Sequence, residues 1–128
     1  MVAQGVQKEA LQALMALGAS VYLSVMGKQG FREAAYLNVQ KAHYALEKLE
    51  EAGFKRAFAA PFFNEFAVQM PAGVTVDEVN RKLLKQGIIG GYDLGRDYPE
   101  FAGHMLIAVT EQRTKSEIDQ LIKGMRDA

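Results

Sequence analysis

EFAVQMPAGVTVDEVNRKLLKQ, residues 65–86, and HMLIAVTEQRTKSEIDQLIKGM, residues 104–125, share one plan. Each opens on an apolar stretch with strand character, passes through a polar turn, and reaches Thr-x-x-Glu before an apolar residue recurs every three or four positions. Thr75 with Glu78 and Thr114 with Glu117 are capping boxes: the threonine oxygen accepts an otherwise orphaned helix amide while the glutamate reaches back. The first box predicts a helix that turns Val76, Val79 and Leu83 inward and stops at Gly87. The second predicts a helix buried through Ile118, Leu121, Ile122 and Met125. Two strand, turn and helix units in one short chain imply an α/β protein of the α+β type, with a small antiparallel or mixed sheet and helices on one face.

Outward from these units, Lys55–Ala59 reads as a further short strand, joined to the strand Glu65–Met70 across Pro61–Asn64. Upstream the period changes from 2 to 3.6. Phe31, Ala34, Ala35, Ala42, Ala45, Leu46 and Leu49 form the stripe of a helix over about 31–52, capped by Gly53. The turn Lys28–Gly30 separates it from an earlier helix carrying Leu11, Leu14, Gly18, Val21 and Val25. Ala13, Leu17, Tyr22 and Leu23 make the other faces of that helix apolar too, so it needs cover from a neighbouring domain or a second subunit. The expected organisation is one domain over residues 1–128, with a helical lead-in over about 5–52 and strand and helix units over 53–128.

Composition narrows the function classes. Fifteen Lys and Arg balance 15 Asp and Glu over 128 residues, so no overall field steers the chain to nucleic acid or anionic lipid. With no cysteine there are neither disulfides nor thiolate chemistry, which fits the cytoplasm. Neither His43 nor His104 stands in metal-ligand spacing, so no metal site is expected. Ala10–Met26 is uncharged but falls short of the ~20 residues of a membrane span, and Gln12, Gly18, Ser20 and Ser24 interrupt it. A buried or interface helix is the expectation there, with no signal peptide and no membrane partner.

Chemistry concentrates in GIIGGYDLGRDYP, Gly87–Pro99. Gly90 and Gly91 allow positive φ or close backbone approach, and Asp93, Arg96 and Asp97 set a guanidinium among carboxylates. That combination suits either a planar anion or local pairing in an irregular strand and polar turn. The glycine spacing is wrong for a dinucleotide fingerprint, and the loop comes after a helix where that motif comes after a strand. His104 opens a strand and either reaches a cleft or satisfies a backbone carbonyl. Glu65 interrupts an apolar segment beside Asn64, as a cap or as a site residue. His43 reads as a partly exposed helix histidine, and Phe62 and Phe63 as core.

VYLSVMGKQGF at Val21–Phe31, KAHYA at Lys41–Ala45, PFFNEFAVQMP at Pro61–Pro71, GIIGGYDLGRDYP, and HMLIAVTEQRTKSEID at His104–Asp119 together resemble the glycine cleavage system P-protein family. The likeness is to the C-terminal part of subunit 1 of its two-subunit form, and runs from about Gln12 onward. GVQKEALQAL at Gly5–Leu14 departs from the family's TSNICTNQAL, which leaves residues 1–11 without an assigned role. The resemblance implies the small C-terminal domain of an aspartate aminotransferase-like, fold type I pyridoxal phosphate enzyme, within a larger subunit. It further implies a cytoplasmic heterotetramer that decarboxylates glycine and passes the aminomethyl group to the lipoyl arm of H-protein, with subunit 2 and H-protein as partners. The Schiff-base lysine belongs to subunit 2 on this likeness, so no catalytic or cofactor-binding residue is expected here and the isolated chain should be inert. In the wider group an arginine of the small domain commonly holds the substrate carboxylate, which singles out Arg96. Asn64, Glu65, Gly90, Gly91, Asp93, Arg96 and His104 are the candidates to face substrate or cleft. The alternatives are a stand-alone amino-acid-binding regulatory domain, and an assembly module working through the apolar first helix.

Overall fold

A computed structural model describes the backbone of residues 2–127 and the side chains of residues 11–127. It divides into two compact units, Met1–Ala35 and Tyr36–Ala128. The first unit is helical and belongs to α1, Val2–Glu51. The sequence predicts two helices parted by a turn at Lys28–Gly30; instead Gly27 alone leaves helical geometry, at φ 62° and ψ 177°. That backbone region is essentially restricted to glycine, so one residue redirects the chain and no loop is needed. The helix resumes at once, with Gln29 Nε2 donating to Glu33 Oε1 at 3.0 Å one turn later.

Within this unit Leu11, Leu14, Met15, Leu17, Val21, Tyr22, Leu23 and Val25 are all exposed, Val25 at 81%. Ser20 and Ser24 return their hydroxyls to the carbonyls of Ala16 and Ser20, so their polarity is satisfied inside the helix. By length and composition Leu11–Glu51 is apolar enough to cross a membrane, a test that the core helix of a soluble protein passes equally.

In the second unit α1 ends where glycine was expected to end it. Phe54 donates its amide to the Leu49 carbonyl and Gly53 donates to Glu50, both at 3.0 Å, while Gly53 adopts φ 97°. This pairing satisfies two terminal carbonyls and turns Phe54 and Leu49 together into the core. The later elements are β1 Lys55–Arg56, β2 Glu65–Gln69, α2 Val76–Lys85, β3 Tyr92–Asp93, two 3-10 turns at Leu94–Arg96 and Pro99–Phe101, β4 His104–Ala108, and α3 Lys115–Arg126. β1 is shorter than the predicted Lys55–Ala59. Arg56 Nη2 donates to the carbonyls of Ala59 and Ala60, at 3.3 and 2.6 Å, and folds that segment back on itself.

The sheet order is β1-β2-β4-β3, every neighbouring pair antiparallel. Glu65 faces Ala108 and Gln69 faces His104, while Tyr92 faces Leu106. Period 2 then sorts the side chains. Phe66, Val68 and Met70 join Met105, Ile107 and Val109 in one core with Ala42, Ala45, Leu46 and Leu49 of α1, Val76, Val79 and Leu83 of α2, and Ile118 and Met125 of α3. Burying each large side chain of this set is worth roughly 1.5–3 kcal/mol. The opposite face carries Glu65, Gln69, Ala108 and Tyr92, which are exposed, together with the buried Ala67 and the half-buried His104 and Leu106. The expected α+β class, small sheet and one-sided helices therefore hold, and the sheet is antiparallel throughout.

Candidate functional site

The glycine-rich loop is built from the end of α2 onward. Ile88 donates its amide to Leu83 and Gly87 donates to Leu84, both at 3.0 Å, with Gly87 at φ 75°. Ile88 turns back against the core while Ile89 is left 90% exposed. Gly90 and Gly91 then need their missing Cβ for space, since neither has positive φ. A Cβ on Gly90 would lie 2.9 Å from Leu83 Cδ1 and closer still to Asn80 Oδ1. One on Gly91 would lie 2.5 Å from Met105 Cγ and run into the Leu106 carbonyl oxygen. The close approach expected of both glycines is thus made to the chain's own α2 and β4.

Beyond them, Asp93 Oδ1 accepts the Gly95 amide at 3.0 Å and caps the turn Leu94–Arg96. Tyr92 donates its hydroxyl to Asp97 Oδ2, and this hydrogen bond, with some burial, pushes the phenol above its ordinary pKa. The two carboxylates flanking Arg96 are therefore both engaged elsewhere. Arg96 is exposed and makes no hydrogen bond or ion pair among the described residues. A guanidinium in that state presents its planar fork to an incoming carboxylate or phosphate.

His104 lies at the same end of the sheet. Its Nδ1 is 3.1 Å from the Phe101 carbonyl, to which only an N–H can donate, so the ring serves the backbone, the plainer of its two expected roles. Phe101 stands edge-on to His104, Phe58 and Tyr98, with centroids 5.8, 5.4 and 6.3 Å away. Asp93, Arg96 and His104 are consequently brought to one end of the sheet. Asn64 and Glu65 are not among them: Glu65 pairs with Ala108, four residues along β4 from His104, roughly 14 Å away at ~3.4 Å per residue. Asn64 gives its carbonyl to the Val109 amide at 2.9 Å, and Glu65 is exposed beside a groove of about 260 Å³ formed with Arg56, Phe58, Phe62 and Ala67. His43 is exposed and stacks flat on Phe62, centroids 4.3 Å apart.

Sequence reasoning passed over Asn80. It comes after Val76 and Val79 and precedes Leu83 at helical spacing, so a polar residue on a buried stripe was the available signal. Its Nδ2 donates to the Gly91 carbonyl at 2.9 Å, while its buried Oδ1 has no conventional hydrogen-bond partner. That oxygen occupies the place where a Cβ on Gly90 would stand, and so faces a Gly90 Cα–H. A second polar cluster, also unforeseen, ties the later part of α1 to α3 and the segment before it. Asn38 donates to Glu111 Oε2 at 2.8 Å, and Tyr44 donates to Asp119 Oδ1 at 2.6 Å. Hydrogen bonds from Gln112, Asn38 and its own backbone hold Glu111 below the usual carboxylate range, and those from Tyr44 and Lys115 do the same for Asp119.

Among the described residues, Lys48 and Lys115 do not fit a covalently held pyridoxal phosphate. A Schiff-base lysine needs a desolvated, lowered amine. Lys48 and Lys115 are instead raised, by the hydrogen bond to Glu51 and by those to Tyr44 and Asp119. Lys41 donates to the Glu111 carbonyl, and Lys28, Lys55, Lys82, Lys85 and Lys123 are exposed. The arrangement leaves the exposed Arg96 side chain on a loop packed against α2 and β4.

Comparison with known proteins gives a consistent kinship. Residues 9–125 match the family of the glycine cleavage system P-protein. The chain is 59% identical over 116 residues to a probable glycine dehydrogenase (decarboxylating) subunit 1 of Geobacillus kaustophilus (strain HTA426), covering 91% of this chain and 25% of that protein. It superposes on a crystal structure of glycine decarboxylase (P-protein) of the glycine cleavage system, in inhibitor-bound form, with TM-score 0.77 and 30% identity over 89% of this chain and 25% of the other. An archaeal O-phosphoseryl-tRNA(Sec) selenium transferase shares the fold at TM-score 0.64 and 11% identity, over 80% of this chain and 26% of that one. The chain thus spans about a quarter of the length of the curated relatives it matches.

Proposed function

This chain belongs to the glycine cleavage system P-protein family, and on that footing we propose that it works as the small C-terminal domain of a glycine-decarboxylating subunit. On this reading residues 1–128 act as one domain, of the kind that comes after the large cofactor domain in aspartate aminotransferase-like enzymes. Pyridoxal phosphate and its lysine are held by subunit 2, the aminomethyl group leaves on the lipoyl arm of H-protein, and the assembly is a cytoplasmic heterotetramer. Arg96 anchors the carboxylate of glycine, and Asp93 and His104 shape the loop end around it. Gly90 and Gly91 set the depth of that loop, while Asn64 and Glu65 line a different part of the cleft wall.

The observation that carries this reading is the state of Arg96: exposed, with both neighbouring carboxylates committed to other donors. A guanidinium left in that condition binds an external carboxylate without first breaking an internal ion pair.

The test is exchange of labelled carbon dioxide into glycine. The chain alone, mixed with pyridoxal phosphate and lipoylated carrier, shows no exchange and no new visible absorbance. The full subunit bearing this chain, combined with subunit 2, restores exchange. Exchange by the isolated chain would contradict the assignment of the cofactor to the partner. A stand-alone amino-acid sensor is the competing reading, and calorimetric titration with glycine separates the two, since tight binding by this chain alone is expected only of a sensor.

A further inference from the structure

Three features converge on one side chain to which the family likeness assigns no role. Asn80 donates to the Gly91 carbonyl at 2.9 Å, its buried Oδ1 lacks a conventional partner, and the same oxygen fills the space next to Gly90 where any side chain would clash. One amide group thereby hydrogen-bonds Gly91 and packs against Gly90. On the other side Gly91 lies against the Leu106 carbonyl oxygen, so the loop is clamped between α2 and β4.

The chain beyond the clamp is short and braced. Tyr92 and Asp93 pair with Leu106 and Met105. Asp93 Oδ1 then holds the Gly95 amide, and a Cβ on Gly95 would stand 2.9 Å from Ala102 Cα, so that turn too is packed to contact. Arg96 is the next residue. From Asn80 to Gly95 successive links are hydrogen bonds or close contacts, and the backbone of Arg96 takes its position from the loop.

We propose that Asn80 is the positioning residue for Arg96: its amide sets the height of the loop Gly87–Pro99 and so places the backbone from which the Arg96 side chain reaches substrate carboxylate. The inference rests on the reading of Arg96 given above. Asn80 touches no substrate, and its effect passes through the backbone of residues 90–95.

The experiment is steady-state kinetics of the full two-subunit enzyme carrying Arg96→Ala, Asn80→Asp, or both. Asn80→Asp keeps the shape but turns an acceptor toward the Gly91 carbonyl in place of the donor. Arg96→Ala raises KM for glycine by about 30-fold, as loss of a charge-assisted pair does. Asn80→Asp raises it by about tenfold with kcat unchanged, the signature of lost ground-state binding, and adds less than about twofold in the Arg96→Ala background. Deuterium uptake across residues 87–98 rises in Asn80→Asp at the same time. An unchanged KM in Asn80→Asp, with Arg96→Ala impaired, overturns the positioning role and leaves the carboxylate reading standing. Equal effects of Asn80→Asp in both backgrounds also overturn it, because the residue then acts through something other than Arg96. An unchanged KM in Arg96→Ala removes both. If Asn80→Asp does not assemble, Asn80→Ser, too short to reach Gly91, is read by the same criteria.

Discussion

Gly90 and Gly91 look alike in sequence and differ in what stands against them. Beside Gly90 are the end of an asparagine side chain and a leucine methyl, groups with some freedom to move. Beside Gly91 are a backbone carbonyl of the central strand and the Met105 side chain beneath it. Gly91→Ala is therefore expected to cost about 1–3 kcal/mol of unfolding free energy by overpacking, and Gly90→Ala less, in urea titrations of the chain. The reverse order would mean that Asn80 is the more rigid wall. Both glycines drew notice in sequence because paired glycines in a polar loop need a reason. The identity of the opposing atoms was hidden, since Leu106 and Asn80 come from other elements.

At the scale of elements, the capping boxes link the fold to pH. Hydrogen bonds from the hydroxyl and amide of Thr75 hold Glu78 below the usual carboxylate range, and those from the amide and hydroxyl of Thr114 do so for Glu117. A carboxylate whose folded pKa is depressed binds fewer protons in the native state. Its contribution is complete above the unfolded pKa and disappears as pH falls through the folded one. Thermal stability of the chain should drop as pH is lowered through the carboxylate range, with Glu111 and Asp119 acting in the same direction. A double Thr75→Ala, Thr114→Ala variant should lose about 1 kcal/mol per cap near neutrality and show a shallower acid limb. An acid limb as steep as that of the parent would show that the caps are not its source. The boxes were legible because a cap is a contact between residues three apart. The break in α1 was misplaced by comparison: Lys28–Gly30 has turn composition, yet nothing local requires a loop once Gly27 alone can take the glycine-only backbone region.

For the whole molecule, the apolar lead-in is the feature with the largest consequence. Eight large side chains between Leu11 and Val25 are exposed, on a helix without a charge from Ala10 to Met26. Exposed apolar surface of that extent marks a region that another protein or a membrane covers. Leu17→Glu in the full heteromer should weaken assembly, lowering the sedimentation coefficient, while the chain's far-ultraviolet circular dichroism stays unchanged. Unaltered sedimentation would remove this helix from the assembly surface. The α+β class, both strand, turn and helix units, the glycine stops of α1 and α2, and kinship with the P-protein family are legible in the chain of residues alone, because periods, caps and family motifs are written in neighbouring residues. Tertiary structure alone decided that β4 enters between β2 and β3, that Asn80 grips the glycine-rich loop, and that Asn64 and Glu65 lie at the opposite end of the sheet from Asp93, Arg96 and His104. Those facts depend on pairings between residues far apart in the chain, whose register is settled only when the two faces of the sheet sort buried from exposed side chains.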